Sequence, residues 1–315
     1  MNVADSQLPL SSPTDQPAIR ARLGRALAGV LLSTAAAAGP LIRRGSSDRL
    51  GHHARLMTGP QGPYVAKRAT TPEERKGVWM EVRMLPAVRR YAGAEVIVPR
   101  LLHVTEASDE LEIDLEWLAG YHSRVSLARC ARGVDWLAHL PLAAFADLPE
   151  LDAATLLDQA ELDLFTLSGD PLWRQRGPLP EDLLDRLRQH AFALAAFPTV
   201  VVHNDYRPGN VLVRGEAIAL IDWAAPARGC MLLDWLHLGI THIEWLPAIW
   251  RELERRVADD PARAAALPHA GWFCAVVAAC HTAAHAMQRP RGLTLAPRGA
   301  VLRLLLAREP RLAQG

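Results

Sequence analysis

The stretch VVHNDYRPGNVLV, residues 201–213, decides the fold. Two apolar segments flank a polar loop that carries His203, Asp205 and Asn210. A strand beginning at NVLV needs its apolar residues for its own burial, so the three polar residues fall on the loop before it. Loops on rigid scaffolds are where reactive groups are placed. The run ALIDWA, 219–224, follows closely, and Arg214-Gly215-Glu216 joins the two strands into a hairpin. Asp222 ends the second strand, so hairpin pairing brings it near Asn210. An Asn carbonyl and an Asp carboxylate make a hard-oxygen pair suited to Mg²⁺, which keeps waters and takes its other ligands from phosphates. Asp205 is then placed to receive or orient a hydroxyl proton. That is the division of labour phosphoryl transfer requires. Taken singly, Asp205 reads as a turn residue, Asn210 as a strand-start cap and His203 as a structural histidine. Their common register, with Asp222, argues against the bland reading.

Outward from this loop, the chain runs sheet-rich and then helical. Residues 1–16 are polar, contain prolines and read as a flexible terminus. The spacing predicts a helix over about 17–37. HARLM and YVAKRA flank TGPQGP, which reads as a hairpin with a Gly/Pro turn. TPEERKGVWMEVRMLPAVRRYAG, 71–93, opens with a Thr cap, a proline and two glutamates and continues at helical spacing. VIVPRLLHV and ELEIDLEWL are strand candidates. The second alternates Leu111, Ile113, Leu115 and Trp117 with Glu112, Asp114 and Glu116. From about 122 to 198 the pattern is helical, with cap-like LPELDAATLLD and LPEDLLDRLRQ. Residues 232–310 read as helices interrupted by prolines.

Bulk properties exclude several classes. The chain has 315 residues, half of them hydrophobic, and a net charge of +1. Nothing here marks disorder, nucleic-acid binding or a polybasic membrane anchor. Cys130, Cys230, Cys274 and Cys280 contain no CxxC pair, so reduced thiols in a cytosolic protein are expected. RALAGVLLSTAAAAGPLI, 25–42, partly resembles a secretion signal, but a long polar stretch precedes it and it is short of a membrane span. A cytosolic helix leading into a strand is the expectation, and with it a cytoplasmic location. Only Lys67 and Lys76 are lysines, which singles out each of them.

The pattern His-x-Asp-x-x-x-x-Asn followed by a short hairpin ending in Ile-Asp-Trp resembles the aminoglycoside phosphotransferase family of kinase-fold enzymes. That family includes choline-kinase-like and other small-molecule kinases. HNDYRPGNVLV…ALIDWAAPARGCMLLDWLHL follows its pattern almost throughout, including Gly229 and Asp234, and element order agrees over about 40–310. The resemblance implies an α+β, bilobal protein-kinase-like fold with a smaller β-rich N-lobe, 17–117, and a larger helical C-lobe, 118–315. It implies that His203 braces the catalytic loop, that Asp205 is the catalytic base or orients the acceptor hydroxyl, and that Asn210 and Asp222 hold Mg²⁺. Lys67 in YVAKRA resembles the family's third-strand lysine, which contacts the phosphates of ATP or GTP. Such a lysine needs a carboxylate partner. Glu81 lies on the apolar face of its helix among Val78, Val82 and Leu85 and is the candidate; Glu74, one to two turns earlier, is the alternative. Lys76 reads as a solvated helix residue. The phosphate-covering loop is assigned by order alone to Gly45, Ser46 and Ser47, without a G-x-G-x-x-G motif. LEWLAG, 115–120, matches the inter-lobe connection, where the nucleotide base pairs with backbone near Glu116 and Leu118.

One departure bears on the acceptor. Eleven residues separate Asp222 from Asp234, which leaves no room for a peptide-docking activation segment. The expected acceptor is a small hydroxylated molecule rather than a protein, an antibiotic above all: an aminoglycoside, a nucleoside or a peptide. Residues 147–185 hold ten acids and two arginines, so Asp163 or Asp170 are candidates to line a pocket for a polycation, or else complement helix dipoles. Residues 225–315 hold seven acids and eleven arginines, which fits a neutral or partly anionic acceptor. Trp235, Trp245, Trp250 and Trp272 either stack on a ring or fill the core. The competing readings are a metabolic kinase for an amino alcohol or a sugar, and a nucleotide-binding pseudokinase scaffold.

Overall fold

The alternation of apolar and polar residues near the start of the described chain becomes an antiparallel sheet. The computed structural model describes residues 54–170, 173, 180–287, 301, 302 and 304–311, which belong to one compact unit, Arg43–Gly315. The expectations for 1–16, for the helix over 17–37 and for Gly45, Ser46 and Ser47 lie outside the described residues. β1 (Arg55–Gly59) and β2 (Gly62–Ala69) form a hairpin. Its turn is only Pro60 and Gln61, tighter than the sequence reading, and Gly62 at φ +106° takes a conformation that costs glycine little. β4 (Leu101–Glu106) and β5 (Leu111–Glu116) complete a sheet of order β1-β2-β5-β4. β5 buries Leu111, Ile113 and Leu115 and leaves the acids between them partly open, as its period of two requires.

Helix α1 (Pro72–Arg89) crosses this sheet. Thr71 accepts the Glu74 N–H, and Glu74 Oε2 accepts the Thr71 N–H at 3.0 Å, a reciprocal cap contributing about 1 kcal/mol. The apolar face buries Val78, Leu85 and Val88, and Glu81 lies buried among them. The stretch VIVPRLLHV divides around Pro99, which lacks an N–H for a ladder. Its first part, β3 (Val96–Ile97), leaves the sheet and pairs elsewhere.

The second half is mainly helical: α2 (Leu127–Ala138), α3 (Ala153–Ser168), α4 (Pro180–Ala191), α5 (Leu232–Thr241), α6 (Leu246–Val257) and α7 (Pro261–Met287). Asp152 caps α3 by accepting the Thr155 N–H at 2.8 Å. Pro247 and Pro261 stand at helix starts, where the missing N–H costs nothing, and α7 runs on past Pro268. α7 is long and apolar enough over Pro261–Ala284 to cross a membrane, yet most of that span is buried here against α3, α4, α5 and α6.

Two small sheets sit within this half. β8 (Val211–Arg214) and β9 (Ala217–Leu220) form the hairpin read from the sequence, with Gly215 at φ +56°, and β3 adds in parallel to β9. A further sheet, of order β6-β10-β7, combines Glu150–Leu151, Ala227–Cys230 and Thr199–Val202. Its strands are two to four residues long, too short to show a period, and the sequence reading assigned none of the three.

Candidate active site

The loop between β7 and β8 is held from below by one carboxylate. Asp234, in the first turn of α5, accepts the His203 N–H at 2.7 Å through Oδ2 and the Asn204 N–H at 2.9 Å through Oδ1. Asn204 takes φ +60°, a left-handed conformation that Asn tolerates better than most residues, and this turns both N–H groups toward one acid. Burial pushes the Asp234 carboxyl up to about 6, although the two N–H groups and His203 favour its charge. His203 Nε2 donates to the Ile221 carbonyl at 3.0 Å and so ties the loop to the end of β9. Its ring packs against Trp223, centroids 4.9 Å apart. Tyr206 is fully buried and donates to the Cys130 carbonyl of α2 at 2.7 Å. That approach requires Gly133, because a Cβ there would stand 2.1 Å from the Tyr206 hydroxyl.

The polar face of the loop points the other way. Asn210 Nδ2 donates to Asp205 Oδ2 at 2.8 Å and to the Asp205 carbonyl at 2.9 Å. The Arg207 guanidinium lies 3.2 Å from Asp205 Oδ2. Asp205 Oδ1 lies 3.9 Å from His237 Nε2, on α5. Asp205 keeps a third of its surface open, while Asn210 is buried.

Facing this loop is a second cluster. Lys67 on β2 contacts Glu81 of α1 at 2.7 and 3.0 Å and Asp222 Oδ1 at 3.0 Å. Burial opposes the Lys67 charge, but Asp222 and Glu81 together hold its pKa above the ordinary range. Attraction to Lys67, working against burial, brings the Asp222 carboxyl down to about 2. Glu81 Oε1 also accepts the Trp223 N–H at 3.4 Å. Asp222 itself adopts φ +69°, where the chain turns out of β9. Glu74, the alternative partner, is engaged at the helix cap instead.

The remaining candidates divide. Glu116 Oε2 accepts the Arg100 N–H at 3.0 Å and lies 3.6 Å from Arg89, so its side chain is committed to the rim of the sheet. The Leu118 carbonyl accepts the Tyr121 N–H at 3.2 Å in a local turn. Asp163 is buried between α3 and α7, bonded to Gln159 at 3.2 Å and to His281 Nδ1 at 3.2 Å. Asp170 caps the Trp173 N–H at 2.9 Å. Trp235 and Trp272 are core residues. Sequence reasoning missed the parts played by Arg207, Tyr206, Gly133 and His237. Only His237 left a usable signal, since it stands three residues after Asp234 and so shares its helix face.

A β-sheet followed by a helical body, with a His-x-Asp-x-x-x-x-Asn loop opposite a strand lysine, defines the class: a phosphotransferase of the kinase-like fold. The chain belongs to the phosphotransferase enzyme family (APH), whose model matches residues 42–267, and it is accordingly a small-molecule kinase. A sequence search of curated proteins finds no match. Among solved structures, the fold resembles a thermostable mutant of aminoglycoside phosphotransferase APH(4)-Ia in ternary complex with ADP and hygromycin B, at 13% identity and TM-score 0.56, covering 83% of this chain and 92% of that one. The GDP complex of aminoglycoside 2'-phosphotransferase-IIIa aligns at 13% identity and TM-score 0.56, covering 82% and 89%. A choline/ethanolamine kinase family protein from Mesorhizobium loti aligns at 18% identity and TM-score 0.57, covering 88% and 90%.

Proposed function

We propose that this chain transfers the γ-phosphoryl group of ATP or GTP, with Mg²⁺, to a hydroxyl of a small molecule. The carrying observation is that the Asp205–Asn210 loop and the Lys67–Glu81–Asp222 cluster meet across the end of β9. In this reading residues 17–117 bind the nucleotide and 118–315 carry the catalytic loop and the acceptor. Gly45, Ser46 and Ser47 cover the phosphates, and the backbone near Glu116 and Leu118 receives the base. Nucleotides bound by solved relatives support the co-substrate: ADP with APH(4)-Ia and GDP with the 2'-phosphotransferase.

The donor set fits Mg²⁺. Asn210 spends its Nδ2 on Asp205, which leaves its carbonyl oxygen for a cation, and Asp222 stays ionised at neutral pH. Mg²⁺ bound there by Asn210 and Asp222 would neutralise phosphate charge. Lys67 adds a cation to the phosphates, and Arg207 brings another beside Asp205. Asp205 orients the acceptor hydroxyl and takes its proton. His203 keeps the loop in place through Ile221. The protein does little covalent work; positioning and charge supply the rate.

For the acceptor, an antibiotic is favoured, giving a cytoplasmic resistance or self-resistance enzyme; hygromycin B and spectinomycin are the antibiotics present in the complexes of two similar solved structures. A polycation would need open carboxylates, whereas Asp163 is buried against His281. A neutral nucleoside or peptide antibiotic is therefore the first choice. A metabolic kinase for an amino alcohol or sugar is the second reading, supported by the likeness to the choline/ethanolamine kinase family protein. A coupled nucleotide-turnover assay across hydroxylated antibiotics and amino alcohols, with mass spectrometry for a phosphoryl gain, tests both. Asp205→Ala should cut turnover by roughly 100- to 10,000-fold with nucleotide binding kept. Near-normal turnover in that variant rules out this assignment. Binding of Mg-nucleotide with no turnover in the wild type leaves the scaffold reading.

A further inference from the structure

We infer that His237 is a further residue of the transfer step: its imidazole and Asp205 Oδ1 together hold the attacking hydroxyl. The inference rests on the phosphotransferase reading above. The two oxygens of Asp205 are unequal. Oδ2 is occupied by Asn210 at 2.8 Å and Arg207 at 3.2 Å. Oδ1 has no hydrogen bond among the described residues, and its neighbour is His237 Nε2 at 3.9 Å. That distance is too wide for a direct hydrogen bond, and an oxygen atom about 2.8 Å from each sits beside the line that joins them, its two contacts meeting at roughly 90°. A hydroxyl there donates its proton to Oδ1 and accepts the Nε2–H of His237. Its second lone pair is left to face the phosphorus.

The imidazole is suited to this. It sits on α5 one turn beyond Asp234, so the helix that clamps the loop also sets the distance from His237 to Asp205. It is nearly buried, 12% exposed, and cannot swing freely. Burial brings its pKa down to about 4, so at neutral pH it carries one proton and no charge. The charged and titratable groups that bear on it are Asp205, Arg207 and His203 of the loop and His281 of α7. A neutral imidazole donates to the hydroxyl without competing for its proton. In the step, the O–H bond breaks and its proton passes to Asp205. The hydroxyl oxygen bonds to the γ-phosphorus, and the bond from that phosphorus to the β,γ-bridging oxygen breaks. The electron pair of that bond leaves with the nucleoside diphosphate. His237 ends the step with the proton it began with.

Water fits the same gap, so the experiment needs no identified acceptor. Basal hydrolysis of Mg-ATP is measured in the full-length protein, with Mg-ATP binding measured separately as the check on folding. Wild type, Asp205→Ala, His237→Gln, His237→Asn and His237→Leu are compared. Gln keeps an N–H at a similar reach and should retain most of the rate. Asn is too short and Leu has no donor, and both should lose about 10- to 100-fold in kcat at unchanged nucleotide KM. If His237→Leu does not bind Mg-ATP, the contrast between Gln and Asn carries the test. Wild-type kcat in the Asn variant, or equal losses in Asn and Gln, overturns the inference and leaves the phosphotransferase reading intact. An undiminished rate in Asp205→Ala overturns that reading and the inference with it; no hydrolysis in a wild type that binds Mg-ATP overturns the inference alone, and the acceptor panel then decides the reading.

Discussion

Asp234 illustrates how one buried residue can hold a loop in place. Its carboxylate accepts two successive N–H groups, from His203 and Asn204, and is 1% exposed. Burial raises its pKa to about 6 from an ordinary value near 4. The folded protein therefore binds more protons at this position than the unfolded chain between about pH 4 and 6. The stability linked to that proton is fully present below about pH 4 and is lost as pH rises through about 6. Asp234→Asn removes the titration and turns an amide NH₂ toward one of the two N–H donors. The stability difference, wild type minus variant, should fall by about 2 kcal/mol between pH 4 and pH 7. Urea midpoints at those two pH values measure it. A difference that does not move with pH would show that Asp234 is not the titrating group. At the same scale, Lys67 and Glu81 show how far single residues can be read. A carboxylate on an apolar helix face has to be paired, and the only lysine on the adjoining strand is its partner. The approach of His237 to Asp205 could not be read that way, because only the folded loop creates that distance.

At the scale of elements, legibility followed length and period. β5 and α1 carry full patterns of period 2 and 3.6, and their cap and alternation are visible in the chain. β6, β7 and β10 are too short for any period, and they pair where α2 packs against β7 and α3 against β6. The contact between α2 and the loop that joins β7 to β8 was equally hidden, since nothing near Gly133 announces that Tyr206 will pack on it. That contact sets a prediction. Gly133→Ala places a methyl 2.1 Å from the Tyr206 hydroxyl and 3.1 Å from the adjacent ring carbon. The variant should lose about 1–3 kcal/mol, the scale for overpacking a core. Tyr206→Phe removes the clashing oxygen and also the bond to the Cys130 carbonyl, so alone it should cost about 1 kcal/mol. Combined with Gly133→Ala it should cost less than the sum of the two. Additive losses in urea unfolding would mean that the helix, not the hydroxyl, absorbs the methyl.

For the whole molecule, the sequence conveyed the order of sheet and helices and the class of site, whereas the packing of the helices on one another was beyond its reach. The four cysteines make that packing measurable. They lie on α2, β10 and twice on α7, are all reduced, and are all buried. Cys130, Cys274 and Cys280 are fully buried and Cys230 is 6% exposed. Burial pushes the Cys130 thiol up to about 12 and the Cys280 thiol higher still. Reaction with a disulfide reagent needs both access and the thiolate; burial denies access to all four thiols, and the native protein disfavours the thiolate at Cys130, Cys274 and Cys280, while the hydrogen bond with Cys274 brings the Cys230 thiol down. In 6 M guanidinium all four thiols should react at once, at roughly the pKa of a free cysteine. In the native protein at pH 8 they should react only as the helical body opens. Cys130 offers its carbonyl to Tyr206 of the loop between β7 and β8, so it should label no faster than that contact breaks. The labelling of Cys130, followed by mass spectrometry, should therefore quicken in Gly133→Ala, while Cys274 and Cys280 on the far helix keep their rates. Prompt labelling of any one thiol in the native wild type would show that its helix is not packed as described. Equal acceleration of all four in the variant would mean that the helical half opens as a single unit.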